Sequence, residues 1–292
     1  MLSYLATPPP APPLNIPSSF STVTLRIINS TTTLHIDPSI FWRPVLQGFK
    51  TIHAPIFCFL ISHGSQHVLF DLSVRRDWEN YSPSTVPLNK GTITVRTSLD
   101  ISQILDASPS CPDISSASIS AIICFHSHFD YIGDPSIFPP TTTLVVGPDF
   151  RSSTTCCYPT DPTSSLLDSD FADRPLREID FNSTEFRIGQ FPAFDYFGDG
   201  SLYLLHAPGH HPSHICALAR TTPSSSSTGS SFILMGADSC HHVGLLRPSP
   251  YLPLPTTIFP SPLSRFAALG LSCPGEALQA LRPQKSATEP FF

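Results

Sequence analysis

The chain has 292 residues, of which 40% are hydrophobic and 13% charged, and its formal net charge is −6 at pH 7. That length and apolar content are enough to bury a sizeable core, as one large domain or two small ones. The acidic balance, with no cluster among the 16 Lys and Arg residues, argues against nucleic acid or a membrane surface as a partner.

Eight cysteines are spread along the chain without a CxxC pair, so we do not expect a four-cysteine zinc site. Cys58, Cys124 and Cys216 lie in apolar runs, where buried and reduced thiols are expected. No stretch reaches the roughly 18 apolar residues of a membrane span, and the N-terminal segment lacks the basic and apolar regions of a secretory signal. We therefore predict a cytoplasmic protein.

The distribution of proline divides the chain into three predicted segments. Residues 1–20 are proline-rich and are predicted to be a flexible lead-in. Residues 21–255 carry regular hydrophobic patterns and form the predicted domain, whereas residues 256–292 are predicted to be a proline-rich, weakly ordered tail.

The first strands are predicted from the alternation of apolar and polar side chains. Residues 21–27 alternate as in a half-buried strand, and a Ser/Thr turn separates them from residues 34–37, the predicted second arm of a hairpin. The pattern of residues 53–74 predicts two long strands joined by a turn at residues 63–66.

Helical signals follow these strands. Residues 75–83 are predicted to form a short helix whose two arginines face solvent. Apolar spacing predicts a second helix within residues 98–108, capped by Ser98 or Asp100. Residues 151–175 are polar and contain several prolines, so we expect a long surface excursion there.

The second half of the chain is rich in predicted strands. Residues 176–181, 186–197 and 201–208 have strand patterns, with an obvious turn at residues 198–200, and residues 231–238 form the last clear core strand. Two groups of strands, each followed by helical material, predict an α+β fold, and strand counting alone allows several architectures of that class.

The strongest chemical signal is a pair of histidines and an aspartate directly after a buried strand. The β-branched run from Ile119 to Phe125 predicts that strand, and His126, His128 and Asp130 follow at intervals of two. On an extended segment this spacing points the side chains the same way. Two nitrogen donors and one carboxylate suit zinc or a similar borderline cation.

Residues 126–139, HSHFDYIGDPSIFP, resemble the HxHxDHxGD signature of the metallo-β-lactamase superfamily, in particular fungal members related to N-acyl-homoserine-lactone lactonases. Further pieces follow the order of that family, namely FDLSVRRDWENYSP (70–83), APGHHPSH (207–214) and LMGADSCHH (234–242). The likeness covers roughly residues 50–255. It implies a four-layer αββα sandwich.

The resemblance also implies a set of metal ligands. It assigns His126, His128 and His210 to a first ion, Asp130 to a second, and Asp238 to a position that bridges the two. Three imidazoles leave a fourth position open, as catalytic zinc requires. His211 and His214 compete with His210 for the third position, and His214 is expected to support the loop instead.

The chain departs from the family pattern in two places. Tyr131 stands where the signature has histidine, and its phenol is a poor replacement at neutral pH because its usual pKa is about 10. After His242 the chain contains no histidine or aspartate, so we expect a C-terminally truncated fold that lacks the closing ligand. One tightly held ion and a weak or absent second ion are therefore expected. His241 and His242 are expected to lie behind the ligands, with rescue ligation as the less favoured alternative.

The resemblance implies a metal-dependent hydrolase that acts on a lactone or a related ester or thioester, with Asp130 orienting the attacking water or holding the second ion. Zinc is the expected cofactor, as one or two ions, with manganese and iron left open. A small molecule is the expected substrate. No GxSxG or phosphate-binding loop points to another chemistry. The alternative is an inactive member that binds metal or ligand without turnover. The sequence indicates neither the exact substrate nor the oligomeric state.

Overall fold

The computed structural model describes residues 8–41, 43, 48–86, 91–153, 156–183, 185–227, 229–241, 249–253, 255 and 257. Residues Leu14–His241 form one compact unit, and Met1–Pro13 with His242–Phe292 form a second. Among the described residues of the second unit, Ser249 and Leu252 form an antiparallel bridge. The predicted tail, apart from residue 257, lies outside the described residues, and the predicted domain boundaries stay a prediction.

The larger unit is built on two β-sheets. The first sheet contains β1 (Thr24–Ile36), β2 (Ile52–His63), β3 (Gln66–Phe70), β4 (Ile93–Arg96), β5 (Ile119–Cys124), β6 (Thr143–Val146) and β7 (Leu176–Glu178), in the spatial order β4-β1-β2-β3-β5-β6-β7. The second contains β8 (Arg187–Ile188), β9 (Phe191–Asp195), β10 (Leu202–His206), β11 (Ile215–Arg220) and β12 (Phe232–Met235), in the order β12-β11-β10-β9-β8.

Strand direction divides the first sheet into two halves. β1 pairs antiparallel with both β2 and β4, and β2 pairs antiparallel with β3. From β3 onward the pairs β3–β5, β5–β6 and β6–β7 are parallel. Because parallel strands end at the same edge of a sheet, the loops after β3, β5 and β6 converge there.

The predicted hairpin at residues 34–37 is wrong, because β1 is a single strand that pairs with β2 on both sides of an irregularity between Asn29 and Thr33. Thr31 takes up the extra residues there with a φ of 61°. The buried hydroxyl of Ser30 donates to the carbonyl of Ile56 at 2.7 Å. The polar residues therefore form a bulge within the sheet rather than a turn.

The helices that the structure describes in the larger unit are short: α1 (Ile101–Asp106), α2 (Phe129–Ile132), α3 (Phe150–Ser153) and α4 (Asp168–Phe171). Asp100 caps α1 as predicted, and its backbone N–H donates to the Gln103 side chain at 3.1 Å. In place of the helix predicted at residues 75–83 there is a 3-10 turn, Trp78–Asn80. None of the described helices has both the length and the apolar character needed to span a bilayer.

The arginine predicted to face solvent at position 75 is instead 8% exposed. Its guanidinium donates to Asp77 at 2.7 Å and to Asp134 at 3.1 Å, and it lies 3.9 Å from Asp170. Asp170 belongs to the predicted surface excursion at residues 151–175 and is also buried. Both side chains are therefore buried beside partners from distant parts of the chain, which offset part of the cost of removing them from water.

Alternating side chains of the central strands create two apolar layers. Ile123 and Val145 face the second sheet and pack in one cluster with Leu204 and Ala217, whereas Ile122 faces the other side, with α1. Cys58, Cys124 and Cys216 are buried and free, as predicted. The predicted α+β architecture with two packed sheets is confirmed.

Candidate metal centre

The candidate site lies where loops of both sheets meet, past the end of β5. His126 and His128 follow that strand, His210 lies in the loop between β10 and β11, and Asp238 lies in the 3-10 turn Ala237–Ser239 after β12. The apolar run of β5 is buried in the core. The first two histidines are therefore attached to a rigid part of the fold.

Four side chains predicted as ligands come together here. The Nε2 atom of His210 lies 3.2 Å from Nε2 of His126 and 3.1 Å from Nδ1 of His128. The Oδ2 atom of Asp238 lies 3.2 Å from Nε2 of His210 and 3.5 Å from Nε2 of His126. All four donor atoms lie within 4.8 Å of one another.

These four residues fit a divalent cation. Burial, followed by the neighbouring imidazoles, lowers the pKa of His126 to about 2 and that of His128 to about 4, so both rings are neutral at pH 7. Three nitrogens that meet at such distances cannot all be satisfied by hydrogen bonds to one another. Neutral imidazole is the form that binds metal, and three nitrogens with one carboxylate oxygen suit zinc.

Asp238 supplies the negative charge of the cluster. Burial alone would raise the pKa of Asp238, but contacts with His241 and Tyr131 hold it at about 2. Tyr131 donates its hydroxyl to Oδ1 of Asp238 at 2.5 Å. Oδ2 therefore remains directed to the imidazoles, and the carboxylate stays ionised across the neutral range.

Asp130 does not belong to the four-residue cluster. The backbone stays extended only as far as His128, and α2 starts at the next residue, so the two-residue spacing no longer places Asp130 beside the histidines. Burial, and next the charge of Asp238, raise the pKa of Asp130 to about 7. Asp130 therefore lies close enough to Asp238 to sense its charge.

His214 supports the site from behind. Its ring is fully buried, its Nδ1 donates to the carbonyl of Ala207 at 2.8 Å, and its Nε2 accepts the backbone N–H of Asp238 at 3.1 Å. This pair of bonds fixes the tautomer of the ring. The predicted supporting role of His214 agrees with these contacts.

Two supporting contacts were not anticipated from the sequence. Tyr81 donates its hydroxyl to the carbonyl of Phe129 at 2.6 Å and accepts the backbone N–H of Arg75 at 3.3 Å. Gly147, directly after β6, lies so close to Ser213 that a Cβ atom there would be 1.9 Å from the Ser213 carbonyl oxygen. Glycine directly after a core strand is the only sequence signal of that close approach.

His241 lies beside the cluster, and its Nε2 is 3.5 Å from Oδ2 of Asp238. Its ring centroid lies 4.9 Å from that of His210. The other histidine considered for rescue ligation, His242, lies outside the described residues.

Sequence relatives of this chain are fungal proteins. It is 50% identical over 292 residues to metallo-hydrolase mfmC of Annulohypoxylon moriforme, covering 100% of this chain and 74% of that protein. It is 41% identical to gamma-lactamase FDB1 of Fusarium pseudograminearum, covering 96% of this chain and 68% of that protein. Cytochrome P450 monooxygenase mpaDE of Penicillium roqueforti is 52% identical over 88% of this chain, which spans 30% of that longer protein.

No family model matches the chain. Among solved structures, an N-acyl homoserine lactone hydrolase with N-hexanoyl-L-homoserine at its catalytic metal centre is similar, with a TM-score of 0.52, 16% identity, and coverage of 73% of this chain and 74% of that one. At that identity the likeness concerns the fold alone, and it confirms the predicted metallo-β-lactamase fold. The metallo-hydrolase and gamma-lactamase relatives show that the chain belongs to their family of metallo-hydrolases, and the similar solved structure shows that it has the metallo-β-lactamase fold.

Proposed function

We propose that this protein is a zinc-dependent hydrolase that opens a lactone or a related ester or thioester, with a γ-lactam ring as the amide counterpart. The observation that carries the proposal is the convergence of three imidazole nitrogens and one carboxylate oxygen within 4.8 Å. The names of the fungal relatives and of the similar solved structure support a cyclic carbonyl compound as the substrate.

The roles of the residues follow from their positions. His126, His128 and His210, with Asp238, would hold the ion. When bound, a divalent ion supplies Lewis-acid catalysis and makes hydroxide available near neutral pH. Asp130 would orient the attacking water and accept its proton, because its carboxyl group is close to Asp238 without being one of the four clustered donors.

The second metal position is proposed to be weakened. Tyr131 places a hydroxyl proton on Oδ1 of Asp238, the oxygen that would otherwise be free for a second cation. One tightly held ion and one weaker ion are therefore proposed. The same contact favours a second candidate function, a member of the family that binds metal or ligand without turnover. The cytoplasmic location stays a prediction.

The test is the metal content of the purified full chain, measured by elemental analysis, with His128→Ala as the variant. We expect at least about one tightly held ion in the wild type and its loss in the variant. His53→Ala is the matched control, because His53 is an exposed histidine of β2 outside the cluster.

Activity separates the two candidate functions. Opening of lactones and γ-lactams by the metal-loaded wild type, lost in His128→Ala and kept in His53→Ala, supports the hydrolase. A metal-loaded, folded wild type that opens neither ring would leave the binding protein. A folded wild type without affinity for divalent metal would overturn the hydrolase and leave a member of the family that binds a ligand without turnover.

A further inference from the structure

We infer that His241 is an additional metal ligand, whose Nε2 binds a second, more weakly held ion that shares Asp238 with the first. The inference rests on the proposed function, because it assumes that His126, His128 and His210 hold a first ion, at what we call the three-histidine position. It differs from the family pattern in the origin of the imidazole, which here comes from three residues after Asp238.

The distance between His241 and Asp238 is that of two ligands of one ion. Nε2 of His241 lies 3.5 Å from Oδ2 of Asp238, the same separation as that between His126 and this oxygen. Metal–ligand bonds of about 2.0–2.1 Å in a tetrahedral arrangement place two donor atoms roughly 3.4 Å apart. A hydrogen bond would be at the outer limit of its range at that distance.

His241 points to a second ion rather than to the first. It is not one of the four residues whose donor atoms lie within 4.8 Å of one another. Its contact with the cluster is made with the carboxylate of Asp238, which has two oxygens and can bridge two ions.

The orientation of the His241 ring is set by an aromatic neighbour. Phe41, which follows the 3-10 turn Pro38–Ile40, stacks on His241 with ring centroids 4.4 Å apart and an interplanar angle of 23°. The His241 side chain is 24% exposed, so an ion can reach it from solvent. A ligand held by packing loses less conformational freedom when it binds metal.

The experiment is a titration of the metal-free full chain with Zn²⁺ against a chromophoric chelator, with Co²⁺ absorption spectra as a second readout. We expect two equivalents in the wild type, one tight and one weaker. In His241→Gln the affinity for the second equivalent should fall by at least about tenfold while the first is unchanged. Phe41→Leu should weaken the second equivalent by a smaller factor, because the imidazole remains but loses its stacking partner.

His53→Gln is the matched control and should leave both equivalents unchanged, and thermal unfolding checks that each variant is folded. A wild type that binds a single equivalent, or a folded His241→Gln variant that keeps the second, would overturn this inference and leave the proposed function in place. A folded wild type that binds no tight equivalent of Zn²⁺ would instead overturn the proposed function.

Discussion

Replacing Gly147 by alanine tests how closely the metal loop is packed against the first sheet. The new Cβ atom would lie 1.9 Å from the carbonyl oxygen of Ser213 and 2.8 Å from its carbonyl carbon, whereas ordinary contacts begin at 3.4 Å. The Ser213 backbone would therefore have to move by about 1.5 Å, and overpacking of this kind costs about 1–3 kcal/mol of folding free energy.

The displacement would also reach the metal donors, because Ser213 lies directly before His214, whose ring accepts the backbone N–H of Asp238. Loss of such supporting contacts typically lowers metal affinity about 10–100-fold. Urea unfolding of the metal-free protein measures the first effect. Zn²⁺ competition with a chromophoric chelator measures the second.

Gly209→Ala is the matched control for Gly147→Ala. Gly209 directly precedes His210 in the motif, yet nothing lies within 4 Å of a Cβ atom there, and its φ is not positive. We expect its stability to stay within about 0.5 kcal/mol of the wild type and its metal affinity to be unchanged. Wild-type stability and affinity in Gly147→Ala would refute the close approach, and so would equal damage in both variants.

Two further predictions concern the buried polar groups near the metal loop. Burial raises the pKa of Asp170 to about 7, so the folded chain keeps a proton that the unfolded chain loses above about pH 4. The free energy of unfolding therefore falls as pH rises through the folded-state pKa, by roughly 3 kcal/mol between pH 5 and 8. Asp170→Asn should remove this part of the pH dependence, which urea unfolding at a series of pH values measures. Parallel plots of unfolding free energy against pH for the wild type and the variant would contradict the prediction. Tyr81→Phe should lower the free energy of unfolding by about 1–3 kcal/mol, because it leaves the Phe129 carbonyl and the Arg75 N–H without their partner. Tyr196→Phe is the control for removal of a tyrosine hydroxyl.

The central strands and three histidines of the site could be predicted because their signals are local. The β-branched run before His126 identifies a buried strand from a handful of residues. The turn at His210 follows a patterned strand in the same way. The strands predicted before His126 and before His210 are present as β5 and β10, and the loops that follow them meet at the candidate site. Local pattern and global fold agree here, as is expected of a chain with one stable structure.

The supporting contacts could not be predicted because they join segments that are distant in the chain. Arg75 stands in a polar run and was predicted to face solvent, yet besides the neighbouring Asp77 two acids from the loop after α2 and from α4 lie beside it. The sequence around position 75 does not predict a contact with Asp134 or Asp170. The close approach of Gly147 to Ser213 has the same origin. Such contacts emerge only when both segments have been placed.

Asp130 lies outside the group of four clustered donors for a different reason, namely a change of backbone conformation within the motif itself. Alternation along an extended strand ends at His128, whose ψ of 153° is still extended, and the next four residues form α2. A helical turn rotates side chains by about 100° per residue instead of 180°. Asp130 consequently leaves the group of four clustered donors, and Tyr131 points toward Asp238.

The two oxygens of Asp238 would determine the order in which two metal ions bind to the site. Oδ1 accepts the hydroxyl of Tyr131, and burial raises the pKa of that phenol well above its usual value, so the proton stays in place at neutral pH. Oδ2 is left facing the neutral imidazoles, where a first ion meets no competing proton. His241 and Asp238 would hold a second ion less tightly, because one oxygen of Asp238 accepts the Tyr131 hydroxyl and the other faces the imidazoles. The three-histidine position should therefore fill first, and the occupancy of the second should rise with metal concentration.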